Sequence, residues 1–156
     1  MEKAEKDPVS AKSRSGYLIT YANCPLHWVF KLQTEVALST TEAEYIALSL
    51  AMREVLPLLR LLREMKGKDL PIPSELSSIK CTVFEDNEGT MELARTTKLR
   101  PRTKHINVKF HHFRASVEEG ETTLVKVDTS EQQADILTKA LSVDQLKRLR
   151  QDIMGW

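Results

Sequence analysis

The chain is short of cysteine, of aromatic residues and of long apolar runs, and each shortage excludes something. Its two cysteines, Cys24 and Cys81, lie far apart in a sequence of 156 residues. They match no zinc-ligand spacing and cannot build a disulfide framework. They are expected to be reduced, buried small hydrophobes in an intracellular protein. No apolar stretch approaches the roughly 20 residues that span a bilayer, so no membrane partner is expected. The first seven residues, Met1-Glu2-Lys3-Ala4-Glu5-Lys6-Asp7, are charged throughout and lack the apolar centre of a signal peptide. Acid is also missing locally. From Leu93 to Val117 there is no Asp or Glu, while Arg95, Lys98, Arg100, Arg102, Lys104, Lys109 and Arg114 fall there with His105, His111 and His112. The net charge of +1 therefore hides a basic stripe beside an acidic remainder, which suits a protein that holds a polyanion and also binds cations.

What is present reads as one folded domain. Hydrophobic residues make up 41% and charged residues 29%, the balance of a globular chain rather than a disordered one. Residues 1–15 form a polar segment. Gly16–Tyr21 and Leu26–Lys31 read as two strands of a hairpin around the turn residues Ala22-Asn23-Cys24-Pro25. Ser39 opens a long helix, with Glu42 placed to reach back to the Ser39 amide. Ala43, Ile46, Ala47, Leu50 and Ala51 give that helix one apolar face. Pro57 should kink or divide it. Asp69–Ser78, with Pro71 and Pro73, reads as a loop. Ile79–Glu85 reads as a central strand, Asn87–Ala94 as a short helix, Thr96–Thr103 as a basic loop and Asn107–Glu118 as a helix ended by Gly120. Thr122–Val127 is a further strand. Ser130 should cap the next helix with Gln133 as its partner, and Val143–Met154 is the last helix. This order predicts an α/β layer fold with helices flanking a mixed sheet.

Three segments hold an acid in a setting that suits metal binding. They are Ser39–Leu48 on the long helix, Phe84-Glu85-Asp86-Asn87 at a strand end, and Gln132–Lys139 at a helix start. Converging carboxylates suit Mg²⁺ or Mn²⁺, which prefer oxygen ligands and sites shared with phosphate. Each candidate also has a plainer role. Glu44 could be a solvated helix residue, Asp86 the cap of the helix at Asn87, and Asp135 a first-turn acid favoured by the helix dipole. Glu42 reads as a cap, and Glu85 alternates to the face opposite Asp86, away from any ligand set. His105 could touch phosphate or be structural, whereas His111 and His112 read as packing or surface residues. Trp28 and Trp156 read as core and tail.

Five runs taken together resemble the ribonuclease H domain of copia-type retrotransposon Pol polyproteins. They are Ser13-Arg14-Ser15-Gly16-Tyr17, Ala37-Leu38-Ser39-Thr40-Thr41-Glu42 through Leu48, Glu85-Asp86-Asn87, Arg102-Thr103-Lys104-His105-Ile106-Asn107-Val108, and Ala134-Asp135-Ile136-Leu137-Thr138-Lys139. The resemblance covers nearly all of residues 9–150. It implies an RNase H-like fold over 16–156 and hydrolysis of the RNA strand of RNA–DNA hybrids at a four-carboxylate, two-metal site. Glu44, Asp86 and Asp135 fall on the second, third and fourth carboxylates. Arg95, Lys98, Arg100, Arg102, Lys104, His105 and Lys109 are expected on the hybrid. The reverse transcriptase part of the same polyprotein is the expected partner, in the cytoplasm, a virus-like particle or the nucleus. The strand that carries the first carboxylate has no match here, since Asp7 sits before Pro8 without a strand pattern. The domain is therefore expected to be incomplete at its start and weak or inactive. Two alternatives stand beside this reading: a non-catalytic nucleic-acid-binding remnant, and a structural module that pairs an open sheet edge with a partner or with itself.

Overall fold

The computed structural model describes residues 11–66, 68, 79–96, 106 and 108–156. The chain begins with a hairpin. Strand β1, Arg14–Tyr21, pairs antiparallel with β2, Cys24–Leu32. Both turn residues, Ala22 and Asn23, adopt positive φ (50° and 61°), the two-residue turn whose twist matches that of the strands. The turn is thus tighter than the sequence predicts, and Cys24 and Pro25 belong to β2. Cys24 is exposed and Cys81 half-buried, both free thiols, so neither is the fully buried residue expected.

Helix α1, Thr40–Lys66, runs unbroken for 27 residues. Pro57 does not divide it. The missing donor would have served the Arg53 carbonyl, and both residues lie on the exposed face where water can take that carbonyl. The buried face of α1 carries Ala43, Ile46, Met52, Val55 and Leu59 into the core, beside Met91, Phe110, Phe113 and Leu124. Strand β3, Cys81–Glu85, is followed by α2, Glu88–Arg95, a 3-10 turn at Val108–Phe110 and α3, Arg114–Glu118. The single helix expected over 107–118 is therefore two pieces. Strand β4, Thr122–Lys126, lies parallel to β3 as a βαβ connection requires. A 3-10 turn at Thr129–Glu131 leads to α4, Asp135–Thr138, and α5, Val143–Met154, closes the fold between its Ser142 cap and Gly155.

The α/β class expected from the sequence is what forms, as two small sheets flanked by helices and consistent with an RNase H-like arrangement. β3 is not central. Among the described residues it pairs only with β4, and Phe84 on its outer face is 58% exposed. β1 likewise pairs only with β2. Trp28, expected in the core, is 60% exposed. It shares a face of β2 with Leu26, Phe30 and Leu32, all exposed, because α1 packs on the opposite side of the hairpin.

Candidate functional site

The beginnings of α1 and α2 are clasped together. Asn87 caps α2, its Oδ1 accepting from the Thr90 amide at 3.0 Å and from the Thr41 hydroxyl at 3.3 Å. Thr90, fully buried, donates its hydroxyl to the Thr41 carbonyl at 3.1 Å. At the start of α1, Ser39 Oγ accepts from the Glu42 amide at 3.1 Å and Glu42 Oε2 accepts from the Leu38 amide at 2.8 Å. Glu42 is therefore a cap as expected, reaching one residue beyond the Ser39 amide. Because Asn87 caps α2, Asp86 is released from its plainer role. Glu44, one turn into α1, is carried to the end of β3, where Glu85 and Asp86 stand.

Helix α4 reaches the same place from the other side. The expected Ser130 cap does not form. Asp128 instead accepts from the Ser130 amide at 2.8 Å, and α4 follows Ala134, which supplies no side-chain cap. Gln132 Nε2 donates to the Phe84 carbonyl at 3.0 Å, fastening this segment to β3. The segment also packs on β1, where a Cβ on Gly16 would lie 2.4 Å from Thr138 Cγ2 and 3.2 Å from Leu137 Cβ. Only glycine lets α4 sit so close. α4 thus bridges the two sheets and delivers Asp135, buried in its first turn, to the acids of α1 and β3.

Among the described residues, four carboxyls and one ammonium gather here. Lys139 Nζ donates to Asp135 Oδ2 at 2.8 Å and lies 4.0 Å from Asp86 Oδ2. Burial pushes Glu44 up to about 7, and the negative charge of Asp86 adds to this; Lys139 opposes it and Asp135 adds a little. Glu85 rises to about 8, again by burial first and then by the charge of Glu44, although the Asn87 amide donates to its Oε1 at 3.0 Å and lowers it. Burial disfavours the Lys139 ammonium, but its hydrogen bond to Asp135 and the charges of Asp135, Asp86 and Glu44 outweigh that and hold its pKa above the ordinary value. The expectation that Glu85 faces away is therefore corrected. It is buried on the same inner face of β3 as Cys81 and Val83 and belongs electrostatically to the cluster; the strand ends there, so Asp86 is not held to the opposite face.

The three acids singled out from the sequence, Glu44, Asp86 and Asp135, do share one cavity. It measures about 710 Å³ and is lined by residues of β1 and β3 and by Ala47, Leu48, Ala51 and Met52 of α1. The donor set is all oxygen, the set a hard divalent cation prefers. As they stand, with Lys139 among them, no three His, Cys, Asp or Glu side chains of the described residues close round a metal position.

The basic stripe is only partly in view. Lys98, Arg100, Arg102, Lys104 and His105 lie outside the described residues. Arg95 donates to the Leu124 carbonyl at 3.1 Å, and Lys109 pairs with Glu35. Arg114, which a solvent-facing basic stripe would expose, is buried and donates to Tyr45 Oη at 2.9 Å. Tyr45 Oη also meets His111 Nδ1 at 2.8 Å, so His111 does pack as expected. Among the described residues no helix is long and apolar enough to cross a membrane.

No protein-family profile and no solved structure matches the chain. Its sequence is 37% identical over 130 residues to the retrovirus-related Pol polyprotein from transposon TNT 1-94 of Nicotiana tabacum, covering 83% of this chain and 9% of that polyprotein. The Pol polyproteins from transposons RE2 and RE1 of Arabidopsis thaliana are each 34% identical over 130 residues, with 8% of each polyprotein covered. The chain spans less than a tenth of the length of these relatives, and it is similar throughout most of its own length to one segment of plant-transposon Pol polyproteins.

Proposed function

We propose that this chain is the ribonuclease H-type segment of a copia-like retrotransposon Pol polyprotein, acting on the RNA strand of RNA–DNA hybrids beside the reverse transcriptase of the same polyprotein. The observation that carries the reading is the meeting of Glu44, Asp86 and Asp135 from three separate elements at one cavity, in a chain similar to Pol polyproteins. These three carboxylates would hold Mg²⁺ or Mn²⁺. Such ions, when bound, supply an activated water and neutralise charge on the leaving oxygen. The protein's own part is positional. The Thr41–Asn87–Thr90 clasp fixes Glu44 against β3, and α4, wedged over Gly16, fixes Asp135. Arg95, Lys98, Arg100, Arg102, Lys104, His105 and Lys109 would hold phosphates without reading bases.

The test is cleavage of a labelled RNA–DNA hybrid with Mg²⁺ or Mn²⁺. RNA-strand cleavage lost in Asp86→Asn supports the reading. Salt-dependent hybrid binding without cleavage, unchanged by Asp86→Asn, would replace it with a non-catalytic binding role. A structural role is favoured by one further observation: β1 and β3, each paired on one side only among the described residues, line the same cavity. An extended segment of a second copy laid between them would join the two sheets. A clean monomer by sedimentation at high concentration would exclude that pairing.

A further inference from the structure

The positive charge at the acid cluster is tethered to it. Lys139 follows Asp135 by four residues across α4, so the helix turn brings its ammonium over the Asp135 carboxylate. The same ammonium faces Asp86 on β3, so one lysine bridges two of the acids assigned above to the metal. Both carboxylates are poorly exposed (side chains 7% and 14%), whereas the Lys139 side chain keeps 26% of its surface in solvent. By contrast, the ion pairs Lys109–Glu35 and Lys126–Glu88 lie on the surface.

We infer that Lys139 is a built-in counter-ion that holds Asp86 and Asp135 together in the metal-free protein and is displaced when a divalent ion enters, so that it sets how tightly the ion is held. This rests on the cluster being a divalent-cation site. An ammonium donates up to three hydrogen bonds and accepts none, so it competes for the carboxylate lone pairs that an ion needs. The two positive charges also repel in a poorly solvated pocket. Lysine suits the role because its head sits on a flexible four-carbon stem and can leave through its exposed side without backbone movement.

The test is Mg²⁺ titration of the full chain, read by its melting temperature, in wild type, Lys139→Met, Lys139→Arg and Asp135→Asn. Lys139→Met keeps the stem and removes the charge. It should bind Mg²⁺ about tenfold more tightly, equivalent to about 1.4 kcal/mol, and melt below wild type without metal. Lys139→Arg keeps the charge and should stay within about twofold of wild type. Unchanged or weaker affinity in Lys139→Met, with a wild-type response abolished by Asp135→Asn, overturns the counter-ion role and leaves the cation site standing. No response in any variant overturns both. A measurement on wild type avoids any folding defect: the side-chain NMR signals of Lys139 should move toward those of a solvated lysine as Mg²⁺ saturates. Signals that stay put at saturation overturn the inference.

Discussion

Two polar clusters meet on adjacent residues of α1, and they differ in how far their charges are satisfied. Tyr45 is fully buried, yet its hydroxyl is matched by Arg114 Nε and His111 Nδ1, and Arg114 also lies over its ring, 5.5 Å from the centroid. Glu44, one residue earlier, faces Glu85, Asp86 and Asp135 with Lys139 as the neighbouring cation. The first cluster joins unlike partners and leaves only His111 Nε2 buried without a hydrogen bond, the pattern of a structural core. The second concentrates like charges where burial makes them costly, which folding alone does not favour. Carboxyls pushed toward neutrality in a cavity are the pattern that the proposed cation site would require.

The largest effect should come from breaking the satisfied cluster. Tyr45→Ala removes a buried ring and its hydroxyl together and should cost about 3–5 kcal/mol in denaturant unfolding. Any Mg²⁺ response should persist in whatever fraction stays folded. Relieving the frustrated cluster should do the opposite. Glu44→Gln removes one of the crowded charges and should stabilise the metal-free protein by on the order of 1 kcal/mol above neutral pH while abolishing hybrid cleavage. A Glu44→Gln protein less stable than wild type at that pH would mean that the acids are not in conflict.

The pH dependence sharpens the contrast. Glu44 and Glu85 stand near 7 and 8 against an ordinary value of 4.5, so the folded protein keeps protons that the unfolded chain has released. Stability should fall as pH rises from about 5 to about 8, by on the order of 2 kcal/mol once mutual coupling and solvent screening are allowed for. Saturating Mg²⁺ should flatten the fall. A thermal melt series across that range reads it directly, and a rise in stability would refute the electrostatic picture. The smallest effect lies away from both clusters. Ala22 holds φ at 50° with a Cβ that this region disfavours, so Ala22→Asn should stabilise the hairpin by about 0.5–1 kcal/mol with cleavage unchanged.

Much of the fold can be read from the residues because its signals are local. Ser39 with Glu42, Ser142 and Gly155 mark the ends of α1 and α5, and the apolar spacing of α1 foretells its buried face. Glu44, Asp86 and Asp135 were also legible, since each sits in a recognisable run. What escaped depends on partners distant in sequence. Asn87 and Asp86 are equally good caps on paper, and the contacts of Asn87 and Thr90 with Thr41 of α1 accompany the choice of Asn87. Glu85 joins the acids because Glu44 arrives from another element. Trp28 sits on an apolar-looking strand whose face the rest of the fold leaves open. Lys139 was within reach, since its four-residue spacing from Asp135 is visible in the sequence, although its approach to Asp86 is not.

The most direct test of the account is Mg²⁺ titration followed by backbone amide NMR. The signals of Glu44, Glu85 to Asn87 and Ala134 to Lys139 should move together along one binding curve, while those around His111 and Arg114 stay in place. Shifts scattered over surface acids such as Glu118 and Asp144, or no shifts at all, would contradict the claim that this cluster is a cation site.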